Sequence, residues 1–304
     1  MPGDVIGDPL WAVLIPPRLA RFRELTGLGD AAITADFSGW NKYVLLARDR
    51  VFLFPREAGN VEWLTHELAV YRALAAGGFT LAPRVRWQWQ DEDVYPFPFA
   101  EVTRLPGARP ADPVGLFGPL GAAVAQIHQI RPPDLRWPRR IDRHQRPAYR
   151  WLHRALEPAT SADAAAEAAR RLDQPGQLAR WQSRLAVAAG LDAVLVHGDL
   201  HEDQLLAAGD EITGILDWET ARVDHPFWDF DLGEWGTGLW RARRYEFSRL
   251  WATAWREYAA VRSLDPDPAP LETAFRLREA LALLDDPDDP AVSGTVAEHL
   301  AAIS

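Results

Sequence analysis

Carboxylates flank a short two-strand pattern in His197-Gly198-Asp199-Leu200-His201-Glu202-Asp203-Gln204 and Ile215-Leu216-Asp217-Trp218-Glu219. A carboxamide, Gln204, follows the first acid, Asp199, by five residues. Such a set suits phosphoryl-transfer chemistry: one carboxylate orients a hydroxyl, and a second, with an amide oxygen, holds magnesium beside a nucleotide. The elements that must position these groups can be read nearby. Residues 191–196 form an apolar run, a buried strand leading into His197. Residues 205–208, the turn Gly209-Asp210 and residues 212–216 read as strand, turn, strand. That hairpin returns Asp217 toward Asp199.

On HGDLHEDQLL, GILDWE and DHPFWDFD the chain resembles the aminoglycoside phosphotransferase-like (choline kinase-like) family of the protein-kinase-like fold. The resemblance is specific in this core and weaker over most of the chain. It implies an α+β, two-lobed fold: a small N-lobe of antiparallel sheet plus helix, and a larger, mainly helical C-lobe. By matched position it makes Asp199 the catalytic base, Asp217 a magnesium ligand and Gln204 the occupant of the family's asparagine ligand position. Asp229 matches the aspartate that braces the catalytic loop through backbone N–H groups, and His197 is a packing residue fixing that loop. ATP or GTP with Mg2+ and a hydroxylated small molecule are the implied partners.

The first third of the chain fits that order. Residues 17–27 read as a helix opened by proline. The segment 36–47 reads as a turn feeding a strand, 51–55 as a second strand, and 61–76 has helical spacing with Leu64, Leu68, Tyr71 and Leu74 on one face. Residues 84–90 and 95–102 alternate as strands before Thr103-Arg104-Leu105-Pro106-Gly107 breaks the pattern. The expected division is 1–102 as the phosphate-binding N-lobe, 103–108 as a hinge, and 109–304 as the C-lobe with catalytic loop and substrate-binding helices. Ser38 and Gly39 belong to the turn over the phosphates, and Thr103 and Leu105 to the hinge that holds the base. Helices are expected over 116–130, 149–156, 161–172, 177–189, about 238–262 and 270–284, with a surface turn over 285–290.

One position departs from the pattern. Kinase-fold enzymes place a basic residue on the third strand, paired with a helix glutamate, to meet the nucleotide phosphates. Glu67 suits the glutamate, yet Leu53 stands where the basic residue belongs. Of 33 basic residues only one is lysine: Lys42, in Gly39-Trp40-Asn41-Lys42-Tyr43-Val44. Its place resembles that in the with-no-lysine protein kinases, in which the phosphate lysine comes from this strand. A compact ammonium approaches a phosphate where an arginine fork does not substitute freely. Lys42, oriented by Glu67, is one source of the missing charge. Lys42 pointing to solvent, with Arg56 or Arg50 reaching inward, is the other. Gln204 is a milder departure, since its amide oxygen can ligate magnesium as asparagine's does, and macrolide phosphotransferases as a group also tolerate a non-asparagine residue there.

Composition sets outer bounds. At 304 residues, 48% hydrophobic and 25% charged, the chain can form one large domain or two lobes. Absence of cysteine excludes disulfides and thiolate chemistry. A net charge of −10 disfavours nucleic acid and suits a cationic small molecule or simple solubility. The opening MPGDVIGDPLW lacks a signal peptide's basic flank and no apolar run would span a bilayer, so the expectation is a cytoplasmic protein, monomer or homodimer, with no membrane partner. His197 and His201 beside Asp199 could suggest a histidine-metal hydrolase, but the further histidines such a site needs have no place. His128 reads as a helix-packing histidine. Fourteen tryptophans include Trp228, Trp235, Trp240, Trp251 and Trp255 after the second acidic site; core filling explains most, and Trp235, with Glu202, Asp203, Asp231 and Glu234, is a candidate for substrate contact. The arginines from Arg136 to Arg154 read as a solvated helical stretch. These features favour an ATP-dependent small-molecule kinase acting on an antibiotic-like hydroxyl. The alternatives are a metabolite (sugar or amino alcohol) kinase or a weak nucleotide-binding pseudokinase.

Overall fold

Alternation of apolar and polar residues builds the first unit's sheet. The computed structural model describes residues 16–37, 39–111, 114–132, 147–230, 244–288, 292 and 294–304. Strands β1 (Thr34–Asp36), β2 (Lys42–Ala47), β3 (Arg50–Pro55), β4 (Val85–Trp89) and β5 (Phe99–Thr103) form one antiparallel sheet in the order β1-β2-β3-β5-β4. Helix α1 (Arg18–Thr26) precedes it, ending on Gly27 in the left-handed conformation at φ 66°. Helix α2 (Val61–Ala76) sits between β3 and β4 in the chain.

Side chains two apart on a strand share a face. Tyr43, Leu45 and Ala47 of β2 and Phe52 and Phe54 of β3 are buried with Phe22 of α1 and Phe99 of β5 in one aromatic core. Within it Phe22 meets Phe52 edge-on at 5.0 Å and Phe54 stacks on Phe99 at 4.8 Å. The opposite face of the sheet carries Lys42, Val44 and Leu53, with Val44 paired to Leu53 across the ladder. Leu53 is 5% exposed, so the third strand offers hydrocarbon on that face.

The hairpin β7 (Leu205–Ala208) and β8 (Glu211–Ile215) belongs to the same unit, which gathers residues 1–110, 132–138 and 203–221. Local bonding ties the hairpin to this unit. Ala108 and Ala207 exchange backbone hydrogen bonds at 3.1 and 2.8 Å, and Ile215 N–H donates to the Leu81 carbonyl at 2.7 Å. Gly107, at φ 95°, lies so close that a Cβ there would meet Thr213 Oγ1 at 2.3 Å. Leu105 likewise covers Gly214, where a Cβ would meet its side chain at 2.8 Å.

The second unit gathers 111–131, 139–202 and 222–304. It contains α3 (Phe117–Ile127), α4 (Pro147–Ala155), α5 (Ser161–Arg171), α6 (Leu178–Ala189), α7 (Arg244–Arg262), α8 (Ala269–Asp285) and α9 (Val296–Ala302). Strands β6 (Val194–Val196) and β9 (Arg222–Asp224) make an antiparallel ribbon. Helices α3 and α7 pack at backbone distance, because Gly121 presents no side chain to the Ala254 carbonyl. Trp251 and Trp255 stack at 6.5 Å, one helical turn apart, and both meet Phe230 edge-on. With Trp228 they are buried, so these three fill core, while Trp235 and Trp240 lie outside the described residues. Among the arginines from 136 to 154, Arg154 pairs with Glu167 at 2.7 Å; those from 136 to 146 are not among the described residues.

Among the described residues no helix is long and apolar enough to cross a membrane. The elements the sequence did not announce are β1, β9 and α9. The last carries a reciprocal cap, Thr295 Oγ1 accepting from Glu298 N–H while Glu298 accepts from Thr295 N–H. The architecture is α+β.

Candidate active site

In the first unit, three elements converge on Lys42. As the first residue of β2 it projects from the sheet face opposite the aromatic core. Its Nζ donates to Glu67 Oε2 at 2.8 Å, Asp217 Oδ1 at 2.7 Å and Glu219 Oε2 at 3.0 Å. Glu67 comes from α2, one turn before Tyr71, whose hydroxyl donates to Glu67 Oε1 at 2.7 Å. The same oxygen accepts Trp218 N–H at 3.3 Å. Asp217 and Glu219 bracket Trp218, which is fully buried with Phe79 edge-on to it at 6.0 Å.

The alternative arginines are engaged elsewhere. Arg50 donates to Glu101 and to the Thr26 carbonyl, and Arg56 lies over the Tyr43 ring while donating to the Phe37 carbonyl. Lys42 is thus the cation that meets Glu67.

Burial is the largest influence on Lys42 and works against its ammonium. The attraction of Asp217, Glu67 and Glu219 outweighs it and holds Lys42 well above the ordinary lysine range. Burial raises Glu67, offset only in part by Lys42, because three carboxylates share one ammonium. Tyr71 is pushed well up by burial and by Glu67, so it donates as a neutral phenol.

Asp217 has φ 63° and ψ 64°, a left-handed conformation that aspartate tolerates better than most side chains, and such strained backbone recurs at functional sites. Gln204 closes the cluster: its Nε2 donates to Asp217 Oδ2 at 3.3 Å, and its backbone carbonyl accepts Leu216 N–H at 2.8 Å. Among the described residues no three histidine or acidic side chains form a ready metal cage. A carboxylate beside a carboxamide nevertheless offers the hard oxygen donors magnesium takes, with phosphates and water completing its shell. Turning the Gln204 amide by half a rotation directs its oxygen to that place.

Gly39 makes the turn before β2 possible, since a Cβ there would stand 2.8 Å from the Lys42 carbonyl oxygen. Where the hinge is expected, Thr103 N–H donates to the Arg84 carbonyl and its hydroxyl accepts Arg84 N–H, both at 2.9 Å. Leu105 forms the apolar cover over Gly214 described above. Ser38, Asp231, Glu234 and Trp235 lie outside the described residues. Glu202 opens the one-turn helix Glu202–Gln204 and is half-buried.

In the second unit, the loop after β6 carries Asp199. His197 is fully buried, Gly198 turns the chain at φ 82°, and buried Leu200 anchors the far side. Asp199 itself is 25% exposed, with His201 Nε2 at 4.0 Å from its carboxylate. The loop is held from below by Asp229, in the turn Pro226–Phe230. Its oxygens accept His197 N–H and Gly198 N–H, each at 2.9 Å. A third bond comes from His128 Nε2 at 3.0 Å, and Tyr258 OH lies 3.0 Å from His128 Nδ1.

One protonation pattern satisfies every partner: neutral His128 donates from Nε2 and accepts from Tyr258, and Asp229 is ionised. Burial lowers His128 despite the pull of Asp229. Burial opposes the Asp229 charge, yet its hydrogen bonds keep it below the ordinary carboxylate range. Sequence reasoning placed His128 as packing alone and did not single out Glu219. For His128 no spacing links residues 101 apart; for Glu219 the nearness to Asp217 was the available signal.

Comparison with known proteins fits this geometry. The phosphotransferase enzyme family profile matches residues 31–273. The chain belongs to that family and is a phosphotransferase. Its fold is two-lobed and protein-kinase-like. It is similar to the macrolide 2'-phosphotransferase MphH from Brachybacterium faecium, at 20% identity and a TM-score of 0.54, covering 94% of this chain and 97% of that one. It is also similar to the GDP complex of aminoglycoside 2'-phosphotransferase-IIIa, at 17% identity and TM-score 0.52 over 95% and 97%. Aminoglycoside phosphotransferase APH(2'')-Ib with ADP bound gives 13% and 0.54 over 90% and 92%. At these identities the likeness is one of fold. No curated protein matches significantly by sequence.

Proposed function

We propose that the chain is a small-molecule kinase that transfers the γ-phosphoryl group of ATP or GTP to a hydroxyl of an aminoglycoside- or macrolide-like acceptor. The observation that carries this reading is the reach of Lys42 from β2 to Glu67 and Asp217, which supplies a cation where Leu53 withholds one. Lys42 meets the nucleotide phosphates. Asp217 and Gln204 would hold magnesium, which when bound neutralises phosphate charge. Asp199 accepts or orients the acceptor's proton, and Asp229 keeps its loop in place through two backbone N–H groups. Such catalysis is chiefly positioning and charge neutralisation.

The acceptor class is supported by structural relatives solved with kanamycin and with gentamicin, and by a net charge of −10, which favours polycationic ligands. A metabolite hydroxyl is the second reading. The pseudokinase reading loses its main support once Lys42 serves for the missing basic residue. Measuring nucleotide consumption with magnesium across a panel of hydroxylated antibiotics, amino alcohols and sugars separates the first two. A panel in which only sugars or amino alcohols stimulate turnover rejects the antibiotic assignment.

A further inference from the structure

The single lysine has three protons to donate, and all three are taken, by Glu67, Asp217 and Glu219. A phosphate oxygen can reach Lys42 only by exchange with one of them. Under the proposed mechanism the partner that leaves is Asp217, because its carboxylate turns to magnesium. Two anchors then remain. Glu67 holds the ammonium from α2, and Glu219 holds it from the short turn Trp218–Thr220.

Glu219 also grips the preceding residue, since Asn41 Nδ2 donates to its Oε1 at 2.6 Å. Neighbouring residues within a strand point to opposite faces; Asn41 lies in the turn ahead of β2, which allows both side chains to reach one carboxylate. Asn41 is fixed in turn: its Oδ1 accepts Asn60 Nδ2 at 3.1 Å, and its carbonyl accepts Arg56 N–H at 3.0 Å. The clamp thus ties the start of β2 to the segment that carries Asp217.

We propose that Glu219 is a positioning residue that, together with Asn41, keeps Lys42 aimed at the nucleotide phosphates after Asp217 has turned to the metal. The proposal rests on Lys42 being the phosphate cation. Glu219→Gln tests it, because an amide must present a donor to either Asn41 or Lys42.

Two readouts on the full chain suffice: the Kd of Mg–ADP by calorimetry, and the side-chain Cε–Hε resonance of protein labelled with 13C-lysine, which contains one such signal. Glu219→Gln is expected to weaken Mg–ADP by about tenfold, the loss of one charge-assisted hydrogen bond. It is also expected to shift the Lys42 Cε–Hε resonance. An unchanged Kd with an unchanged resonance overturns the proposal. If Lys42→Ala weakens Mg–ADP while Glu219→Gln is silent, only the role of Glu219 is lost. If Lys42→Ala itself leaves the Kd unchanged, the phosphate role of Lys42 is lost as well. Should Glu219→Gln fail to fold, Asn41→Ala removes the other half of the clamp and is judged by the same two signals.

Discussion

Under the proposed function Lys42 takes the place of a side chain that kinase-fold enzymes carry one strand away, and register explains how. Val44 pairs with Leu53, so Lys42, two residues earlier on β2, shares the face of Leu53 and enters the same space from the turn side. Removing the ammonium by Lys42→Ala is expected to raise the KM for Mg–ATP by about 30-fold, roughly 2 kcal/mol. Lys42→Arg is expected not to restore it, since the planar fork cannot place three donors on three carboxylates. Steady-state kinetics checks both. Asp229 is expected to be equally intolerant. Asp229→Asn sets an amide donor against the N–H groups of His197 and Gly198 and the Nε2–H of His128. A loss of about 3 kcal/mol in denaturant unfolding, with a fall in kcat, is the expected outcome. The sequence showed Leu53 as a gap and Lys42 as its candidate filling. The three-carboxylate coordination was not legible, because Glu67, Asp217 and Glu219 lie as far as 177 residues from the lysine.

The elements around these residues were legible where their pattern is long. Helix α2 runs from Val61 to Ala76, the span its spacing predicts, and the β7–β8 hairpin turns at Gly209-Asp210. Strands β1 and β9 have three residues each, too few for alternation to register, and they are defined by their partners β2 and β6. The contact of α3 with α7 also escaped the sequence, because it depends on what a glycine lacks. A Cβ on Gly121 would stand 1.9 Å from the Ala254 carbonyl oxygen, and backbone cannot yield as a side chain does. Gly121→Ala is therefore expected to lose about 1–3 kcal/mol by forcing the helices apart. Gly118→Ala, whose Cβ would make ordinary contacts with the Glu257 and Thr253 side chains at 3.8 and 3.9 Å, should be neutral or slightly stabilising. Thermal unfolding of the two variants gives the comparison.

Across the whole molecule, buried neutral histidines set the response to acid. His225 is pushed down to about 4 by burial; it donates from Nε2 to the Ala188 carbonyl and accepts Phe227 N–H at Nδ1. Burial lowers His128 and His153 as well. In the unfolded chain these imidazoles protonate near pH 6.5, so between that value and about 4 the unfolded state binds more protons. Stability must then fall as pH is lowered through this window, by about 3 kcal/mol from His225 alone. Denaturant unfolding from pH 7 to 4 measures it, and His225→Gln should flatten the slope.

The central claim is that this phosphotransferase passes a phosphoryl group from a magnesium nucleotide to a small-molecule hydroxyl, with Asp199 as its base. Mass spectrometry of an antibiotic and amino-alcohol panel incubated with ATP or GTP and magnesium tests it most directly, run in parallel on the wild-type chain and on Asp199→Asn. The account predicts one acceptor class gaining a phosphoryl group with the wild type and none with the variant. Equal phosphorylation by both proteins, or nucleotide binding with no acceptor modified by either, contradicts it.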